Sequence, residues 1–209
     1  MSFALVKHNN NSISAITTAG QLTSGKLVLI KEQTASSSSS ISFVDGSGGV
    51  VLDNTYPIYK FVYINCHPSS DGVGLSFNFS TDSGSNYNVT KTTTFFEAQH
   101  SEDDSAASLS YQTGLDIAQG TGFQQIAQYI GTDNDQSTSG EVFLFDPSST
   151  TFVKHFLTRG NSYFANNKTC DNFSQGYANT TSAIDGVQFK MTSGNIDSGT
   201  IKLYGIQDS

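Results

Sequence analysis

Residues 56–66, YPIYKFVYINC, decide how this chain is read. With a period of two, Tyr56, Ile58, Lys60, Val62 and Ile64 fall on one face, and Tyr59, Phe61 and Tyr63 on the other. Both faces are largely apolar. That pattern predicts a central strand packed on two sides, in the core or at a subunit interface. Just downstream, residues 73–80 (VGLSFNFS) set Val73, Leu75, Phe77 and Phe79 against Gly74, Ser76, Asn78 and Ser80. That alternation predicts a half-buried strand.

The same period recurs in both directions. Residues 26–31 (KLVLIK), 38–44, 88–97, 141–145 (EVFLF), 151–158 (TFVKHFLT), 187–191 and 200–206 all read as strands. Turn signals punctuate them at Asp45-Gly46, Ser83-Gly84, Asp146-Pro147, Asp185-Gly186 and Ser193-Gly194. Residues 122–131, GFQQIAQYIG, place Phe123, Ile126, Ala127 and Ile130 at helical spacing. The segment is short, uncapped and bounded by glycines, so a strand is preferred to one or two helical turns. About eight to ten short strands without a long helix predict an all-β fold, an antiparallel β-sandwich of jelly-roll type.

Residues 1–25 are polar and weakly patterned around FALV and ISAI, and read as a short N-terminal arm or attachment segment. Residues 26–209 form the sandwich domain in this reading. Ser36 to Ser40 is a run of five serines leading into Ile41-Ser42-Phe43-Val44, as readily a strand lead-in as a flexible linker.

Composition narrows the function classes. About two-fifths of the 209 residues are Ser, Thr, Gly or Asn, and only 13% are charged. Fifteen Phe and nine Tyr still supply the bulk for a core, unlike a disordered chain with its high charge and few aromatics. A net charge of −8 with a single arginine, Arg159, argues against nucleic acid, whose phosphates call for Lys and Arg. No apolar run approaches the roughly 20 residues of a membrane-spanning helix, and the first residues carry no secretory pattern. Cys66 and Cys170 lie far apart without CxxC spacing, and two buried free thiols are the preferred reading.

Reactive constellations are sparse. His8, His67, His100 and His155 form no HExxH-like arrangement, and adjacent Cys66 and His67 would point to opposite strand faces. Asp133, Asn134 and Asp135 alternate oxygen ligands as a calcium loop would, but lack the Gly and Glu spacing of an EF-hand. Residues 80–87, STDSGSNY, resemble an Asp-box, whose content is a hairpin turn rather than glycosidase chemistry. No catalytic residue, metal ligand or cofactor site is assigned, and no enzyme is expected. Tyr87, Tyr111, Tyr163 and Tyr177 sit in polar, loop-like context and are the candidates for contact with a glycan or partner.

Three stretches carry a family resemblance: YKFVYINCHPSSDGVGLSFNFSTDSGSNY, EVFLFDPSSTTFVKHFLTR and AIDGVQFKMTSGNIDSGTIKLYGI. Together they resemble small virion structural proteins of tailed phages of marine bacteria, cyanophages among them, from about residue 26 onward. The resemblance implies a structural protein on the virion exterior, made in the host cytoplasm. It decorates the head or forms a fibre or tail appendage, and associates with itself as a trimer and with other capsid or tail proteins. A receptor-binding domain that grips host surface polysaccharide is the alternative. No nucleic acid and no membrane insertion are implied.

Overall fold

The computed structural model describes residues 27–207, so the expected arm over residues 1–25 lies outside the described residues. Within them the chain is all-β and antiparallel, with twelve strands and no helix. They are β1 (Leu27–Ser38), β2 (Ile41–Val44), β3 (Ile58–Pro68), β4 (Leu75–Ser80), β5 (Lys91–Ser101) and β6 (Ala107–Tyr111). β7 (Gln124–Gln125), β8 (Thr138–Phe145), β9 (Lys154–Phe164), β10 (Lys168–Ala178), β11 (Gly186–Met191) and β12 (Ile196–Ile206) follow.

The strands divide unequally. A wide sheet runs β1-β12-β3-β8-β9-β10-β5-β6, and a narrow one runs β2-β11-β4-β7. The expected β-sandwich is therefore present; this order does not by itself establish jelly-roll connectivity. The serine run is the corner between sheets. β1 continues through Ser38, Ser37 takes a φ of 48°, and after two intervening residues β2 begins in the other sheet.

Aromatic side chains fill the space between the sheets. Phe43, Phe77, Phe79 and Phe189 from the narrow sheet meet Phe61 and Phe156 from the wide one, at ring-centroid separations of 5.2 to 5.6 Å. Tyr59, Phe61 and Tyr63 are the inward face of β3, all fully buried. Its other face departs from expectation: Ile58, Lys60 and Val62 are half-exposed and Ile64 is 37% exposed. Among the described residues β3 is packed on one side only, because the narrow sheet covers just one face of the wide one.

β4 departs the opposite way. All six of its residues are buried, including Ser76, Asn78 and Ser80 on the face read as solvent-exposed. The chain folds over that face: Asn78 Nδ2 donates to the carbonyls of Tyr87 (2.6 Å) and Thr121 (2.9 Å), and Ser76 Oγ to that of Lys190 (2.9 Å). Residues 122–131 belong to this cover. They contribute the two-residue β7 and bridges from Ile130 to Val73 and Phe164, not a helix.

The STDSGSNY turn closes on itself. Asp82 accepts from the Asn86 backbone N–H (2.8 Å) and side chain (2.7 Å), and Ser80 Oγ accepts from the Gly84 N–H (2.9 Å). Gly84 has a φ of 78°, the left-handed conformation that costs glycine little. Asp82 is used up by its own hairpin.

Candidate functional site

Among the described residues nothing covers the outer face of the wide sheet, which spans all eight of its strands. Antiparallel register lines its outward side chains into rows across the strands. One row runs Leu29, Tyr204, Lys60, Phe143, Leu157 and Gln175. The next runs Glu32, Lys202, Val62, Glu141, Arg159 and Phe173, then on to Phe96 and Tyr111. Both rows mix apolar groups with charges.

The charges are settled within the face. Lys60 Nζ stands 2.6 Å from Glu141 Oε2, Lys202 Nζ 3.0 Å from Glu32 Oε2, and Arg159 Nη2 2.9 Å from Asp171 Oδ2. Lys60 also lies over the Phe143 ring (4.9 Å) and Arg159 over Phe173 (5.0 Å). Phe173 stacks flat on Phe96, centroids 4.6 Å apart and planes 7° from parallel. Hydrogen bonding to Glu32 holds the Lys202 ammonium, and to Asp171 the Arg159 guanidinium, above their ordinary pKa values.

Three of the four candidate tyrosines share this face. Tyr111 is half-exposed in the row with Phe96, and its hydroxyl donates to Asp116 Oδ2 (2.7 Å), which raises its pKa. Tyr163 borders a cleft of about 350 Å³ with His100, Glu102, Asn161, Lys168 and Thr169, and the neighbouring Glu102 carboxylate raises its hydroxyl. That cleft continues into a shallow one of about 540 Å³ over Ala98, Arg159 and Asp171. Tyr177, edge-on to His155 at 6.2 Å, borders a third of about 330 Å³ with Phe145 and Leu157. Tyr87 lies apart, on the turn after β4, its ring against Gly84 and Gly186.

No pattern in the sequence announces the polar interior behind β5 and β10. The Glu97 carboxylate, 1% exposed, accepts from Gln99 and Gln112 Nε2 (2.6 Å to the latter) and from the Cys170 thiol (3.6 Å). Asn172 Nδ2 donates to Ser162 Oγ (3.0 Å). The alternation along β10 is there, but its inward residues are Cys170, Asn172 and Ser174, so a hydrophobic period could not reveal it.

Nor was Lys91 foreseen. Its ammonium is fully buried, donating to Asn78 Oδ1 (2.5 Å) and the Val89 carbonyl (2.8 Å), and burial pushes its pKa down to about 7. Both cysteines are buried and free. Burial pushes the Cys66 thiol up to about 12, and burial with the Glu97 carboxylate raises Cys170, so both stay protonated and poorly nucleophilic.

The remaining titratable candidates are dispersed. His67 Nδ1 meets the Gln136 carbonyl (2.6 Å), His100 pairs with Asp104 (3.1 Å), and His155 faces outward; His8 lies outside the described residues. Asp133 turns back through the Gln136 N–H (2.9 Å to its carbonyl). Among the described residues no three His, Cys, Asp or Glu side chains converge as metal ligands. Comparison with protein-family models, with curated proteins and with solved structures finds no match for this chain.

Proposed function

We propose that the chain is a non-enzymatic structural component on the exterior of a tailed-phage virion, as head decoration or as a fibre or tail appendage. It associates with itself, three copies being the expected number, and with other capsid or tail proteins. One observation carries this reading: the wide sheet offers a whole face to the outside, ordered in rows and neutralised by its own ion pairs. A building block needs a broad, stiff surface of that kind, and apolar patches rimmed by polar groups mark association sites. The sequence resemblance to virion proteins supports the particle as its setting.

Counting copies per virion, with immunogold placement on head or tail, tests the proposal. Hundreds of copies over the head mean decoration, six to eighteen at the tail mean an appendage, and none on the particle overturns it.

The gathering of Tyr111, Tyr163 and Tyr177 on one face favours a second reading, recognition of host surface polysaccharide. In that reading, His100, Asn161 and Lys168 would bond sugar hydroxyls in the Tyr163 cleft. Retention of the purified chain on host polysaccharide, lost in Tyr163→Ala, would replace the structural reading with this one.

A further inference from the structure

Six of the eight exposed large apolar side chains of the described residues lie on the outward face of the wide sheet: Leu27, Leu29, Ile64, Leu109, Tyr111 and Leu157. They extend from β1 at one edge to β6 at the other. Leu109 is 75% exposed and Leu29 51%. An exposed leucine alone means little; these six share one sheet face with the half-exposed Tyr204, Val62, Phe143, Phe173 and Phe96, which lie between them in the rows and make the face largely apolar.

We infer that this face is covered by a second copy of the chain. The inference rests on the structural reading above and names the partner for its surface. Two observations select that partner over a foreign one. The first is charge. The chain carries −8 overall, so two copies repel wherever their acidic surfaces meet. On this face Lys60, Lys202 and Arg159 are already matched by Glu141, Glu32 and Asp171, and the rows are neutral without help from outside. A strongly charged partner would find no unmatched charge in these rows, whereas a second copy meets no repulsion across them.

The second is size. Eight strands about 4.8 Å apart, with outward rows roughly 7 Å apart along them, give a patch of roughly 35 by 25 Å. That is on the order of 800–900 Å², close to the roughly 800 Å² that each partner contributes to a standard stable interface.

The test is sedimentation of the full chain across micromolar concentrations, beside Leu29→Lys/Leu157→Lys and a control, Phe152→Lys, whose apolar side chain is 70% exposed on the β8–β9 loop. Circular dichroism checks the fold of each variant. The wild type and the control are expected to sediment at no less than twice the chain's 22.4 kDa, and the double variant's dissociation constant to rise at least tenfold.

A wild type that stays monomeric at 50 µM overturns the inference, as does an oligomer that the double variant leaves intact. A monomer whose outer face becomes open to a hydrophobic dye only when residues 1–26 are removed assigns the face to the chain's own N-terminal segment instead. A monomer that binds host polysaccharide through Leu157 assigns it to a glycan. Virion labelling is scored separately: a monomer found on the particle sinks this inference and spares the structural reading, while an oligomer absent from the particle does the reverse.

Discussion

The hydroxyl of Tyr63 occupies the space that a side chain on Gly160 would need. Tyr63 reaches inward from β3 across β8 to β9, and the glycines at 140 and 160, paired across those two strands, leave room for the ring's end. The hydroxyl is buried without a hydrogen-bond partner. The nearby Thr138 hydroxyl donates to the Asn161 carbonyl (2.9 Å) and lies outside hydrogen-bond geometry of the Tyr63 hydroxyl.

This relationship yields a double-mutant prediction. Gly160→Ala overpacks the site and should destabilise by about 1–3 kcal/mol. Tyr63→Phe removes an unsatisfied buried hydroxyl and should be neutral or stabilising by about 1 kcal/mol. In combination, Tyr63→Phe should recover part of the alanine's cost. Urea unfolding of the four proteins measures it, and strict additivity would refute the steric account.

Phe77 touches Phe79, Phe156 and Phe189, so Phe77→Ala should cost about 3–5 kcal/mol in the same assay. Phe152→Ala, at an exposed position, should stay within about 0.5 kcal/mol.

Lys91 makes stability depend on pH. Its folded pKa, about 7, lies below the ordinary 10.5, so between those values the unfolded chain binds more protons and stability rises with pH. Cys66 and Cys170 oppose this from about pH 9 upward, where the unfolded thiols ionise and the folded ones do not. Urea midpoints under reducing conditions should climb from pH 7 toward 9 and then fall. Lys91→Met should flatten the climb; a midpoint that instead falls from pH 7 to 8.5 in the wild type would show that Lys91 stays charged.

Native protein should react slowly or not at all with a thiol reagent such as DTNB, and should yield two equivalents once unfolded in urea. Rapid modification of Cys170 in the native state would mean that the interior behind β5 and β10 opens readily, and of Cys66 that the core beneath β3 does.

At the STDSGSNY turn, Gly84→Ala places a Cβ against Val44 and Tyr87 at a positive φ, and should cost more than about 1 kcal/mol. Asp82→Ala should lower the urea midpoint with an unchanged slope, because it frees the N–H groups that the carboxylate caps. An unaltered midpoint would mean that the turn holds without it.

Most strands were legible in the sequence: β1, β2, β5 and β9 in part, and most clearly β3, β4, β8, β11 and β12, whose inward Phe, Tyr, Leu, Ile or Val follow a period of two. β10 and β6 escaped because Cys170, Asn172 and Ser174, or Ser108 and Ser110, take the inward positions. Burial on both faces of β4 was hidden for a different reason. Asn78 and Ser76 are polar by composition, and only the cover formed by residues near 87 and 121 makes them interior. Three of the four candidate tyrosines proved to share a face, yet what unites that face is register between strands distant in sequence, which a linear reading cannot supply.

The position of β12 sets a timetable. It is inserted between β1 and β3, and among the described residues it is the only strand to which β1 is paired, with Leu27 opposite Ile206. Until residues 196–206 have left the ribosome, β1 lacks that partner and one flank of β3 stands open. The wide sheet can therefore close only after synthesis reaches those residues. Pairings this distant along the chain make such closure slow. During that interval the nascent chain presents two bare edges to its neighbours, so crowding of copies on a polysome is the moment at which this protein is most exposed to mispairing.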